Sequence, residues 1–379
     1  MENFVLHNPT KLIFGKGVVS QLGEQVKSVG KNVLLLYGKG SIKQNGIYEE
    51  IKNQLKNINA NIVEYGGIKP NPIVQDADNA IALGIAEKAD VIVAVGGGSV
   101  IDTAKFVSLA IPGKFKAWDV VKFTVNPVKA VPIIAVLTLA ATGTEMNGNA
   151  VLQNHETDEK LGWHHDLAYP KVSFLDPSYT TTVSREQTVN GIVDLITHSL
   201  EAYFGKGEST ISDRLVEAII KDAIEWAPIL LNNLSDYEAR AHKMLDATLA
   251  LNDITFVGKQ GGDWGIHSLG HVISLLFDTA HGSTLSVMGL AWMRHISNRN
   301  PERIAKLGNQ LFGTNTAAET IEKLEDFYKT INAPVRMKDL SVDSQNKQRI
   351  LEVMESNQAS GYHFRLTKED QEKIVDFAF

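Results

Sequence analysis

Over the first half of the chain, short runs of β-branched and aliphatic residues at 33–37, 61–65, 91–95, 131–137 and 172–175 alternate with helical patterns. Those patterns lie at 46–55, 74–87 and 100–110, where apolar residues return every three or four positions. Runs that are apolar throughout fit strands buried on both faces, and the segments between them fit crossover helices, so the pattern predicts a parallel sheet. After Asp176 and Pro177 the strand signal ends. Residues 213–231, 237–251, 264–276, 301–311, 317–331 and 368–377 carry a helical period instead. The expected architecture is an α/β N-terminal domain with a parallel sheet over residues 1–179 and an all-α C-terminal domain over 180–379. No low-complexity tract or long linker separates them, and a site in the cleft between two such domains is the expectation.

Composition narrows what the domains do. An apolar content of 44% supplies real cores, and a formal net charge of −7 without a basic stripe argues against binding to nucleic acid or an anionic membrane. The chain has no cysteine, which removes disulfides, thiolate-bound zinc, iron–sulfur clusters and thiol catalysis. Any metal must therefore sit on nitrogen and oxygen. Met1-Glu2-Asn3-Phe4 lacks the basic and apolar regions of a secretory signal, and the longest apolar stretch, at 131–141, is too short to span a bilayer. A cytoplasmic protein is expected.

The run at 91–95 leads directly into Gly96-Gly97-Gly98-Ser99 and then into a helical segment carrying Asp102 and Lys105. A strand, a glycine turn and a helix start bring backbone N–H groups and the positive end of a helix dipole to one point, which suits a pyrophosphate. A tight turn without a ligand is the plainer alternative, but three consecutive glycines cost conformational entropy. The spacing before Lys105 is not that of a Walker loop. A second loop, Gly38-Lys39-Gly40-Ser41-Ile42-Lys43, begins like a dinucleotide fingerprint, yet Lys43 stands at its third glycine position. Read as that fingerprint, it would make Glu64 the acid on a ribose and NAD the cofactor. Gly38 and Ser41 with Lys39 and Lys43 instead make a cationic, hydroxyl-bearing pocket free of carboxylate, which suits a ribose 2′-phosphate and predicts NADP(H). A solvated basic loop is the bland reading of the same charges.

Asp194 and His198 are spaced so that both project from one face of a helix, and His267 and His271 repeat that spacing, with His281 following. Eleven histidines spread evenly over 379 residues would put about 0.4 in a window of fifteen, where this chain has three. Taken singly, each is as well read as a hydrogen-bonded core histidine; together with an aspartate at helical spacing they read as a metal site. Imidazole and carboxylate suit Zn²⁺, Fe²⁺, Co²⁺ or Mn²⁺ without choosing among them, and spacing alone does not say which of His267 and His271 is a ligand. His164 and His165, in a polar stretch with Trp163 and Asp166, read as loop residues.

Taken together, Gly96-Gly97-Gly98-Ser99-x-x-Asp102-x-x-Lys105, Asp194-x-x-x-His198 and His267-x-x-x-His271-x9-His281-Gly282 resemble the iron-containing alcohol dehydrogenase family. The likeness runs from Phe14-Gly15-Lys16-Gly17 through the C-terminal helices. Gly66-Gly67-x-x-Pro70-Asn71-Pro72, Leu137-Thr138-Leu139-x-Ala141-Thr142-Gly143 and Asp176-Pro177-x-Tyr179-Thr180 resemble its NADPH-dependent butanol dehydrogenase and broad-specificity aldehyde reductase branch. The resemblance implies an N-terminal dinucleotide-binding domain, a C-terminal helical metal-binding domain, and one divalent metal, Fe²⁺ or Zn²⁺, on Asp194, His198, His267 and His281. It leaves His271 off the metal, near the nicotinamide, and since histidine exchanges protons near neutral pH, His271 is expected to be the catalytic proton relay. It also implies contacts to NADP(H) from Gly38, Ser41, Asn71, Gly97, Gly98, Ser99, Asp102, Thr138, Asn147, Lys160 and Tyr179, and assembly as a homodimer. Relatives that prefer NAD commonly have Asp where Gly38 stands. Ala140 replaces a frequent proline of the branch and Thr144 a frequent serine, both beside the nicotinamide in the family.

The expected chemistry is hydride transfer between NADP(H) and a small alcohol or aldehyde whose oxygen is polarised by the metal. Val151, Trp264, Leu269 and Phe277 are expected around the metal without a cluster of lysine or arginine, which favours uncharged aliphatic substrates of the butanol and butanal kind. A lyase resembling the dehydroquinate synthases is the nearest rival, but an anionic polyol needs basic residues beside the metal. A nucleotide or metal sensor without catalysis is the other, and an intact ligand set beside an intact glycine loop counts against it.

Overall fold

The computed structural model describes residues 1–379. Its strands are β1 (Lys11–Phe14), β2 (Asn32–Gly38), β3 (Asn61–Ile68), β4 (Val91–Gly96), β5 (Ile133–Leu137), β6 (Asn149–Asn154), β7 (Glu159–His164) and β8 (Val172–Leu175). Among and before them run α1 (Leu22–Lys27), α2 (Ser41–Gln44), α3 (Ile47–Asn57), α4 (Val74–Ala86), α5 (Gly98–Gly113) and α6 (Ala117–Val121). Then follow α7 (Arg185–Tyr203), α8 (Thr210–Asn232), α9 (Tyr237–Ala250), α10 (Gly265–Phe277), α11 (His281–Ile296), α12 (Pro301–Phe312), α13 (Ala317–Thr330), α14 (Lys347–Ser356) and α15 (Lys368–Ala378). The chain divides into two units, one of residues 7–183 with 234–244 and one of residues 1–6, 184–233 and 245–379.

In the first unit, six strands pair in parallel in the order β1-β8-β5-β4-β2-β3. Every residue of β4, β5 and β8 is buried, as the unbroken apolar runs require of strands covered on both faces. From β2 the chain passes outward to β3, returns to β4 on the other side of β2 and continues to β5, so the order reverses between β2 and β4. In open parallel sheets ligands bind at the carboxyl ends of the strands flanking such a reversal. Gly38 ends β2 there, and Gly96 ends β4 level with it, since Tyr37 and Val95 are paired. Two features escape the apolar pattern. β1 is a four-residue edge strand without a fully buried position, and β6 and β7 form an antiparallel hairpin of mixed polarity. His164 is therefore not a loop residue: it closes β7 opposite Asn149, with Nδ1 2.8 Å from the Asn149 Oδ1. His165 follows the strand and its ring accepts the Leu167 N–H.

The second unit is helical. Residues 188–203 of α7 are buried without interruption, and in α11 only His281 and Arg294 are not buried. Helices enclosed on all sides have no polar face, so they lack the amphipathic period that marks α8, α12 and α13. The C-terminus of α7 is held by cations: Lys259 Nζ donates to the carbonyls of Ala202 (2.7 Å) and Tyr203 (3.1 Å), and Arg303 Nη2 donates to Tyr203 O (2.6 Å). Both cations also reach the Asp213 carboxylate. Carbonyls that the helix cannot satisfy internally thus meet positive charge at the negative end of its dipole. No helix is long and apolar enough to cross a membrane.

Candidate active site

Asp194 and His198 stand one turn apart on α7, His267 and His271 one turn apart on α10, and His281 opens α11. Asp194 Oδ1 lies 3.7 Å from His198 Nε2, 3.7 Å from His267 Nε2 and 3.9 Å from His281 Nε2. These separations are too long for hydrogen bonds. They approach the about 3.4 Å between two ligand atoms that each lie about 2.1 Å from a shared tetrahedral ion. One ligand atom from each of Asp194, His267 and His281 falls within 4.8 Å of the others. The His198 and His267 rings stack at 4.6 Å. Nitrogen and oxygen donors converging at ligand spacing fit a divalent ion. The His271 ring lies 5.1 Å from that of His281 and 6.3 Å from that of His267, buried beside this group.

Local backbone features set these side chains. Trp264 precedes α10 with φ of 64°, a left-handed conformation that costs a bulky residue of order 1–3 kcal/mol. Its ring meets those of His198 and His267 edge-on, at 6.4 and 5.5 Å. Gly282 follows His281, and a Cβ there would come within 2.2 Å of the Asn190 carbonyl oxygen, so only glycine lets the start of α11 lie against α7. Ser283 Oγ donates to Asn190 Oδ1 at 2.7 Å and fixes the same approach.

Two carboxylates belong to this neighbourhood that spacing did not single out. Glu201, wholly buried on α7, accepts the backbone N–H of His267 (2.9 Å) and faces its Nδ1 (3.0 Å) through Oε1. Burial alone would lower the pKa of His267, but the nearby carboxylates of Asp194 and Glu201, the latter hydrogen-bonded to its Nδ1, push it up to about 9. His198 goes the other way: burial, aided by the charge of His267 and opposed by Asp194, pulls it down to about 4. Asp263 is pushed up to about 7 by burial and then by the charge of Glu201, although its carboxylate accepts the N–H groups of Gly265, His363 and Phe364. The available signal for Glu201 was its place three residues after His198 and seven after Asp194, on the same face of an enclosed helix. For Asp263, two of whose three N–H partners lie a hundred residues on, there was none.

The nucleotide candidates lie in the first unit. Gly97, Gly98 and Ser99 form the start of α5, a sixteen-residue helix, with Gly97 as its N-cap. A Cβ on Gly98 would come within 2.7 Å of Thr142 Cγ2, and one on Gly97 within 3.0 Å of Leu139 Cβ, so the glycines let the 138–143 loop lie close to the helix start. Thr138 follows β5 and donates its N–H to Gly96 O at 3.0 Å. Gly38 and Ser41 flank the loop after β2. Lys160 Nζ donates to Asn71 Oδ1 at 2.8 Å, and Tyr179 donates to Glu50 at 2.6 Å. Burial, followed by the hydrogen bond to Glu50, raises the Tyr179 phenol far above its ordinary range. Asp102 and Asn147 turn inward. Asp102 accepts Thr144 Oγ1 (2.6 Å) and Val151 N (3.0 Å), while Asn147 Oδ1 accepts Lys105 Nζ (3.0 Å) and Asn149 N (2.8 Å). Fully buried Lys105 also donates to Thr144 Oγ1 and Asn149 O, so this network ties the residues after the loop to α5. Glu64 is engaged by Lys52, Tyr48 and Tyr37.

Residues 9–177 match the family model described as iron-containing alcohol dehydrogenase, and residues 188–378 match that of the Fe-containing alcohol dehydrogenase family, C-terminal. The chain belongs to the iron-containing alcohol dehydrogenase family. It is 39% identical to a probable NADH-dependent butanol dehydrogenase 1 of Bacillus subtilis, with 99% of each chain covered. It is 32% identical to an NADPH-dependent aldehyde reductase of Escherichia coli, with 94% of each covered. The crystal structure of an NADH-dependent butanol dehydrogenase A from Thermotoga maritima is similar with a TM-score of 0.96 at 38% identity, covering 100% of this chain and 99% of that one. The protein is thus a metal-dependent alcohol dehydrogenase or aldehyde reductase, of a family that uses a nicotinamide cofactor and a divalent metal. A lyase or a non-catalytic sensor is not favoured.

Proposed function

We propose that this iron-containing alcohol dehydrogenase interconverts small uncharged aliphatic aldehydes and alcohols of the butanal and butanol kind, using NADP(H) in preference to NAD(H). The observation that carries the reading is that Nε2 of His198, His267 and His281 lies 3.7, 3.7 and 3.9 Å from Asp194 Oδ1, on three helices that are mostly buried. These four residues would hold one Fe²⁺ or Zn²⁺, for which their donors are equally suited. Bound in their sites, the ion supplies Lewis acidity toward a carbonyl oxygen and the nicotinamide supplies or accepts the hydride. His271, buried beside the ligands, holds and passes the proton exchanged with the substrate oxygen. The helix start at Gly97, Gly98 and Ser99 offers N–H groups and a positive dipole end to the pyrophosphate. Asp102 and Asn147 shape the adjoining loop from within, while Thr138, Asn71, Lys160 and Tyr179 are the polar groups offered to the rest of the dinucleotide.

Relatives named for NADH and for NADPH both belong to the family, so coenzyme preference is argued from the loop after β2. Gly38 brings no carboxylate, Lys39 and Lys43 bring two charges, and Glu64 is tied to Lys52 and two tyrosines. That combination favours a 2′-phosphate. Trp264, Leu269 and Phe277 give the helices carrying the ligands an apolar character, which favours an uncharged substrate. Assembly as a homodimer and a cytoplasmic home rest on the family likeness and form part of the same proposal.

Metal analysis of two variants tests the assignment. His267→Ala is expected to lose tight metal binding, whereas His271→Ala is expected to keep the metal and lose about 10²–10⁴-fold in kcat. The reverse result would exchange the roles of the two histidines.

A further inference from the structure

We propose that Glu201 is the charged positioning residue of the metal centre, fixing His267 as the Nδ1–H tautomer and supplying the second negative charge that, with Asp194, balances a divalent ion. The proposal rests on the reading of Asp194, His198, His267 and His281 as the ligands.

A carboxylate buried on a helix is costly unless paired, and Glu201 makes no ion pair with lysine or arginine; its one ionic partner is His267. Its Oε2 makes no hydrogen bond, while Oε1 receives both donors of His267, the main-chain N–H and the ring Nδ1–H. With Nδ1 acting as the donor, the His267 lone pair lies on Nε2, the atom 3.7 Å from Asp194 Oδ1. A ring nitrogen that donates to a carboxylate makes the opposite nitrogen a better ligand and fixes the plane of the ring. His198 has no such support, since its Nδ1 is buried without a hydrogen-bond partner. The imidazoles are therefore unequal. His267 is the anchored, electron-rich ligand, and the charge that makes it so comes from the same helix face as Asp194 and His198. Asp263, buried and with its N–H donating to the Glu201 carbonyl at 3.0 Å, adds a further carboxyl group next to Glu201.

The alternative is that Glu201 merely braces the start of α10 through the main chain. Full-length wild type and Glu201→Gln, stripped of metal, are titrated with Co²⁺ and Zn²⁺ against a chromophoric chelator, with melting of the apo proteins measured in parallel. The substitution keeps the acceptor oxygen and removes the charge. It is expected to weaken binding about 10–100-fold and to shift the visible spectrum of bound Co²⁺, with little change in apo melting temperature. Wild-type affinity and an unchanged Co²⁺ spectrum in the variant would overturn the proposal. Wild type that binds neither ion would instead overturn the ligand reading beneath it. If the variant does not fold, ¹⁵N-histidine spectra of Zn²⁺-loaded wild type decide: a proton on Nδ1 of His267 supports the proposal, and a proton on Nε2 overturns it.

Discussion

Gly38 ends β2 without a positive φ, and a Cβ placed on it meets only Ile68 O at 3.6 Å and Val100 Cγ2 at 3.8 Å, ordinary van der Waals contacts. A larger residue therefore fits here without strain, and its chemistry rather than its bulk decides the effect. Gly38→Asp would set a carboxylate where the 2′-phosphate is read to lie, and like charges held this close repel. The variant is expected to lose at least about tenfold in kcat/KM for NADPH, or about 1.4 kcal/mol, while NADH changes by a smaller factor. Parallel steady-state assays measure this, and an unchanged ratio would remove the loop from coenzyme selection. At this scale the candidate ligands were legible because an aspartate and histidines at helical spacing stand out in apolar surroundings. Glu201 and Asp263 were not, because a single acid on a helix or in a loop looks solvated until its partners are known.

Among the elements, α7, α10 and α11 carry the candidate metal centre, and their packing sets its geometry. Gly282 is the tightest point, because the obstacle to a Cβ is the main chain of Asn190 and cannot rotate away. Gly282→Ala is expected to push α11 from α7, destabilise the fold by about 1–3 kcal/mol and weaken metal binding along with it. Denaturant unfolding and metal titration of the variant check both effects, and a variant as stable and as tightly metallated as wild type would show that the contact yields at no cost. The helical spacing of Asp194 and His198 was visible in the sequence, but the ends of α7 and all of α11 were not. Enclosure on every side removes the polar face that makes helices such as α12 and α13 easy to read. The hairpin of β6 and β7 was missed for the opposite reason: its residues are mixed in polarity, and its pairing depends on a turn rather than on an apolar run.

For the whole molecule, the alternation of buried strands and crossover helices was enough to foresee a parallel sheet, since unbroken apolar runs have few other homes. The strand order was not legible, because no local pattern states that β4 returns to the far side of β2. Yet this order brings the loop after β2 and the glycines after β4 to one edge, where ligands bind in open parallel sheets. Family membership supplies an alcohol or aldehyde as substrate, with a nicotinamide and a divalent metal as cofactors; what is proposed for this chain is a preference for NADP(H) and an ion on Asp194 and the three histidines. Both are read in one assay, in which protein stripped of metal and then reloaded with Fe²⁺ or Zn²⁺ is given butanal with NADPH or with NADH, and coenzyme oxidation is followed by the absorbance of the reduced nicotinamide. Activity that is absent from the stripped protein, returns with the ion and is clearly faster with NADPH is the expected result. Oxidation that proceeds equally without metal, or that favours NADH, would contradict the metal centre in the first case and the coenzyme assignment in the second.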